Sequence, residues 1–267
     1  MQKSDSTLSD IVLLVRYRGK EFVLKFGSSS VCEDELICFR SVYKEQLLAF
    51  CNTDCNTDDD TNASVLLEYI PGNVLSRCYD IVADTSLNEL LYLCCLALRQ
   101  VHQAGVIHCD IKPDNLVFQI GRGDNSNSIK VIDFGNSAYC ADAMIYDHDD
   151  CLTTLGYRSR EQNQAKREGR SIPHTPKSDI YALGMVLTGF RRRFRGPSSL
   201  AAAAWIHKML DPNPDERPDL SVLIKESLII MHEHDRAKFA VCIKDPSLNT
   251  FELGHVREQV DPTATKA

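Results

Sequence analysis

Two short motifs restrict this chain more than any other feature of it. A long apolar helical pattern over residues 87–104 runs into the loop His108-Cys109-Asp110-Ile111-Lys112-Pro113-Asp114-Asn115, and a short strand pattern follows. Eighteen residues after Asn115 comes Asp133-Phe134-Gly135, at the end of a second strand pattern over 129–133. Asp110 and Asn115 therefore share one strand-flanking loop, and Asp133 opens another. Two carboxylates and an amide so placed can converge on a magnesium–phosphate site, because Mg²⁺ takes oxygen ligands and keeps waters and phosphate oxygens in its shell. A carboxylate left off the metal can accept a proton from a hydroxyl. Either motif alone would suit a helix cap or a turn; the two in order point to chemistry.

The rest of the chain reads as strands with one helix, then mostly helices. Residues 11–17 and 21–26 are β-branched and apolar, joined by Arg18-Gly19-Lys20 as a hairpin turn. A helix is predicted over 33–51, with Phe39, Val42, Tyr43, Leu47 and Phe50 near a 3.6-residue period. A polar loop over 52–64 leads to a strand at 65–70, ended by Pro71-Gly72. After 133 the pattern is irregular to about 176. Helices are then predicted near 178–190, 198–210 and 219–233.

The formal charge is −7, which argues against a nucleic-acid or membrane-surface partner. The run Arg191-Arg192-Arg193-Phe194-Arg195 is read as a solvated or docking face in preference to a nucleic-acid patch. Residues 1–10 have no apolar core of the kind a signal peptide carries, and the longest apolar run, 90–98, is about half a membrane span. The expected location is therefore cytoplasmic or nuclear. The 11 cysteines include no CxxC pair, and several lie within apolar patterns, so they read as buried reduced thiols.

At HCDIKPDN and DFG the sequence resembles the eukaryotic-type protein kinase family, over about residues 3–233. The resemblance implies an α+β, two-lobed fold with a small β-rich lobe at 1–68, a hinge at 69–71 and a helical large lobe at 72–235. Residues 236–267 form a tail without an assigned role. It implies transfer of the γ-phosphate of ATP to Ser/Thr hydroxyls of a protein substrate, with Mg²⁺, or Mn²⁺ in its place. A regulatory protein partner is also allowed for, and a pseudokinase acting as a binding module is the alternative.

Carried over by motif, Asp110 orients the hydroxyl and accepts its proton, and Lys112 contacts the γ-phosphate as in Ser/Thr kinases. Asn115 and Asp133 hold the metal. Lys25, in EFVLKF, holds the α- and β-phosphates and is expected to pair with a helix glutamate, for which Glu45 fits the family spacing better than Glu33 or Glu35. Leu67 would be the gatekeeper, with the backbone of Glu68 to Ile70 bonding adenine. Val23 and Val117 are assigned to the same pocket. Thr154 would contact the catalytic Asp, Glu161 would pair with Arg217, and Asp179 would brace the catalytic loop.

Four departures stand out. Ser4, Ser6 and Ser9 would align with the glycines of the phosphate loop, the alternative being that residues 1–10 are a disordered tail. Val23 replaces a small residue over adenine. Arg160 replaces a proline, and Cys109 replaces the arginine beside the catalytic Asp. Only 38 residues separate Asp179 from Arg217, which implies a trimmed large lobe.

Overall fold

The structure is a computed structural model that describes residues 12–44, 49–52, 62–78, 86–121, 126–139, 153–192, 194 and 197–231. The small lobe grows from a hairpin. β1 (Val12–Tyr17) and β2 (Lys20–Ser28) pair antiparallel, with Tyr17 opposite Lys20. The two residues between them, Arg18 and Gly19, take φ of 49° and 79°, as a type I′ turn requires. β2 passes without a loop into α1 (Ser29–Tyr43), which ends where Lys44 turns left-handed (φ 54°) and donates its N–H to the Arg40 carbonyl at 2.8 Å.

The helix predicted over 33–51 is thus too long. β3 (Ala49–Asn52) instead pairs with β4 (Asn62–Glu68), Phe50 standing opposite Val65. A short apolar run fits either period, and pairing with β4 decides it. The sheet order is β1-β2-β4-β3. α1 buries Cys32, Leu36, Phe39 and Val42 against it.

Residues 69–72 link β4 to β5 (Asn73–Val74), beyond which the chain is mostly helical. α2 (Leu87–Gln103) follows, its first turn capped by Ser86 Oγ, which accepts the Glu89 N–H at 3.0 Å. β6 (Val106–Ile107), β7 (Leu116–Gln119), β8 (Ser128–Val131) and β9 (Ala138–Tyr139) complete two small sheets, β5-β7-β8 and β6-β9. Gly72 has φ 146°, and a Cβ on it would lie 2.6 Å from the Phe118 carbonyl oxygen and 2.7 Å from Val117 Cγ1. Only glycine lets the crossing pass so close to β7.

Among the described residues four α-helices follow: α3 (Arg160–Arg167), α4 (Pro176–Arg191), α5 (Pro197–Met209) and α6 (Leu220–Ile230). The last three pack around α2, whose Leu87, Leu90, Leu91, Cys94, Cys95, Leu98 and Val101 are almost wholly buried. Each such aliphatic side chain contributes about 1.5–3 kcal/mol by leaving water. Cys32, Cys38, Cys78, Cys94, Cys95 and Cys109 are buried and form no disulfide, and burial pushes the Cys94 and Cys95 thiols up. In the basic run after α4, Phe194 packs against the core while Arg191 and Arg192 are exposed. No described helix is long and apolar enough to cross a membrane.

Candidate active site

The lobes meet at an ion-pair network. Lys25 Nζ, on β2, lies 2.5 Å from Glu35 Oε1 and 2.7 Å from Asp133 Oδ1. The helix glutamate is therefore Glu35, not Glu45, which lies outside the described residues. Because α1 starts directly at the end of β2, an acid ten residues on already folds back over the lysine. Burial opposes the Lys25 charge, but the two carboxylates outweigh it and raise its pKa. Burial pushes Glu35 up, while Lys25 and the Phe134 N–H pull it partly back. Asp133 ends below its ordinary value: burial pushes it up, and Lys25 more than reverses that.

The second cluster is built on the loop at 108–115. Asp110 is buried. Its Oδ2 lies 2.6 Å from Lys112 Nζ, and its Oδ1 accepts the Thr154 hydroxyl at 2.8 Å and the Thr154 N–H at 3.2 Å. Asn115 Nδ2 donates to the Asp110 carbonyl at 2.9 Å and to Oδ2 at 3.3 Å. The amide nitrogen is thereby spent on Asp110, which leaves the Asn115 side-chain oxygen for a cation. That oxygen and the partly open Asp133 carboxylate suit Mg²⁺ completed by phosphate and water.

Asp179, in the first turn of α4, holds the loop from beneath. It accepts the N–H of His108 at 2.8 Å, the N–H of Cys109 at 3.0 Å and His102 Nε2 at 2.9 Å. Burial pushes its carboxyl up, yet these bonds outweigh burial and leave it below the ordinary value. Cys109, in the place of the expected arginine, has φ 66°, and Asp133 has φ 69°. Non-glycine residues in this region cost of order 1–3 kcal/mol and persist only where surroundings enforce them. Enforcement is visible in His108, whose Nδ1 accepts the Asp110 N–H at 3.3 Å and whose Nε2 bonds the Ile132 carbonyl at 3.0 Å. Burial pushes its imidazole down, toward the neutral form those bonds need.

Further out, Arg217 grips Glu161 through Nη1 at 2.8 Å and Nη2 at 2.7 Å, as expected. α3 lies in the stretch read as irregular, because it buries Gln162 and Ala165 rather than an apolar stripe. Its readable signal was the capping box: the Ser159 N–H donates to Gln162 Oε1 at 3.0 Å.

The nucleotide face follows from strand register. Val23 lies opposite Leu67 on β4 and Leu14 on β1, and Lys25 opposite Val12. Directly opposed residues share a face, so Leu14, Val23 and Leu67 flank the lysine on one side of the sheet. Leu14 stands on this face, which the motif reading did not name, and counting back from the Arg18-Gly19 turn finds it. The serines at 4, 6 and 9 lie outside the described residues. At the hinge, the Tyr69 N–H donates to the Glu21 carbonyl at 3.2 Å and ties the crossing to β2, between Glu68 and Ile70. Val117, on β7, is buried against Gly72.

A β-rich lobe over a helical lobe, with a lysine–glutamate–aspartate network facing a buried aspartate on a helix-braced loop, defines a two-lobed protein kinase. Residues 30–195, well over half of the chain, match the family model described as protein kinase domain, and the chain belongs to that family. It is 29% identical over 154 residues to a probable protein kinase of Dictyostelium discoideum, covering 55% of this chain and 38% of that protein. It is 31% identical over 179 residues to the serine/threonine-protein kinase PknB of Mycolicibacterium smegmatis, covering 61% of this chain and 27% of the relative. With the serine/threonine-protein kinase PrkC of Bacillus subtilis the identity is 32% over 153 residues, covering 55% and 22%. The chain thus spans well under half the length of these curated relatives.

Proposed function

We propose that this chain is an active kinase that transfers the γ-phosphate of ATP to serine or threonine hydroxyls of a protein substrate. In this reading 1–68 is the small lobe, 69–71 the hinge and 72–235 the large lobe. The observation that carries it is the Asp110 carboxylate, shared between Lys112 and Thr154 while Lys25 is paired with Glu35. The substrate hydroxyl oxygen forms a bond to the γ-phosphorus as the bond to the β–γ bridging oxygen breaks. The hydroxyl proton goes to Asp110, and ADP leaves with the bridging oxygen's charge. Lys112, 3.4 Å from Thr154 Oγ1, stands where it would meet charge on the transferring group. Asn115 and Asp133 would hold Mg²⁺ or Mn²⁺, which supplies charge neutralisation across the phosphates when bound. The names of the bacterial relatives support the Ser/Thr preference.

The test is transfer of radiolabel from ATP to a generic protein, with an Asp133→Asn control and phosphoamino-acid analysis. Label on Ser and Thr that requires a divalent cation and vanishes in the control is expected. A wild-type chain that ATP stabilises against heat but that labels nothing with Mg²⁺ or Mn²⁺ would be a binding module instead.

A further inference from the structure

We propose that Arg158 is a positioning residue that fixes the substrate end of the activation segment against Asp110, in place of the arginine missing at Cys109. The inference rests on the kinase reading above. Arg158 is buried, with 8% of its surface exposed, and its side chain reaches back five residues. Nε donates to the Thr153 hydroxyl at 2.7 Å, and Nη2 donates to the Thr153 carbonyl at 2.8 Å. That carbonyl belongs to the same peptide plane as the Thr154 N–H, which donates to Asp110 Oδ1. In a trans peptide the C=O and N–H point in opposite directions. One plane is therefore held from both sides, by a guanidinium behind and by the catalytic carboxylate in front.

The charged donor on the carbonyl also polarises the plane and strengthens the N–H bond to Asp110. Cys109, Asp110, Thr153, Arg158 and Asp179 line one small cavity, so two carboxylates share the space beside the buried guanidinium. The anchor continues outward. The Tyr157 N–H donates to the Thr154 carbonyl at 2.9 Å, and Asn163 Nδ2 donates to the Arg158 carbonyl at 3.0 Å, tying the turn to α3. The thiol of Cys109 donates to the Ile107 carbonyl at 3.4 Å, and its side chain is far shorter than an arginine's. Thr153 is 6% exposed and its hydroxyl is already engaged. The clamp therefore holds residues 153–158 without a phosphate on Thr153.

The experiment compares wild type, Arg158→Ala and Thr153→Val by peptide kcat, ATP KM and amide exchange across 153–159. Arg158→Ala is expected to lower peptide kcat at least tenfold with ATP KM within twofold, and to speed exchange in that stretch. Methylguanidinium in solution should restore part of the rate. Thr153→Val keeps the carbonyl bond and loses the hydroxyl one, so a threefold to tenfold loss is expected. If Arg158→Ala fails to fold, Thr153→Val decides, and a kcat within twofold with unchanged exchange overturns the proposal. So does a loss in Arg158→Ala that spreads equally to ATP binding and resists methylguanidinium. If the wild type transfers nothing, the kinase reading falls, and exchange across 153–159 still tests the clamp.

Discussion

Asparagine in place of Asp179 tests the foundation of the site. The carboxylate accepts three bonds: Oδ2 serves the His108 N–H and His102, and Oδ1 serves the Cys109 N–H. Asparagine can turn its one oxygen to a single side, so an NH₂ then faces a buried donor. An orphaned buried donor costs about 1–3 kcal/mol, and two charge-assisted bonds made neutral cost about 1 kcal/mol each. The expected loss is about 3–5 kcal/mol, a large share of the roughly 5–15 kcal/mol that holds a domain together. Urea unfolding should show a lower midpoint at unchanged slope. Cys109 would also be freer to leave φ 66°, shifting Asp110, and a displacement near 1 Å can lower kcat about 100-fold. Acid supplies an independent check. The folded pKa of Asp179 lies below the ordinary 3.8, so its contribution is full above that value and is lost as pH falls through the folded pKa. The gap between wild type and Asp179→Asn should therefore narrow below pH 3.8. A destabilisation under about 1 kcal/mol together with a kcat within twofold would refute the bracing role.

Two more predictions concern the lobes. Glu35→Gln should lower transfer at least tenfold, because Lys25 loses its buried ion-pair partner, whereas Glu45→Gln should stay within twofold; steady-state assays of both decide which glutamate serves. Gly72→Ala should destabilise by at least about 1–3 kcal/mol from its backbone conformation, and should raise the KM for ATP as the new methyl displaces Val117; thermal melting and ATP titration read the two effects.

Much of the site was legible because its parts are motifs of fixed local order. Asp110, Lys112 and Asn115 fall within six residues, and their mutual bonds follow from one loop. Asp179, Thr154, Glu161 and Arg217 were readable by the same likeness and meet their expected partners. Glu35 was ranked below Glu45 because its role depends on where a helix begins, and β2 runs into α1 without a loop. One signal existed: an acid set within the buried stripe of Cys32, Leu36, Phe39 and Val42 is costly unless paired. Leu14 depended on register, which only the turn at Arg18-Gly19 fixes. β3 and α3 lacked a decisive period of their own and owe their form to a neighbouring strand and to a polar cap.

The aromatic contacts around Phe134 bear on how such an enzyme would respond to a signal. Its ring packs edge-on against Phe39 at 6.1 Å, Tyr43 at 6.2 Å and His108 at 5.2 Å. Phe39 lies one helical turn beyond Glu35 on α1. A roll of that helix large enough to draw Glu35 from Lys25 would also pull Phe39 off Phe134, and the neighbouring Asp133 would lose its support in the same motion. Intermediate settings, with one contact broken and the other kept, would leave either a buried carboxylate unpaired or a core void open. Regulation acting through α1 would accordingly divide the population between on and off molecules, in place of setting every molecule to a partial rate.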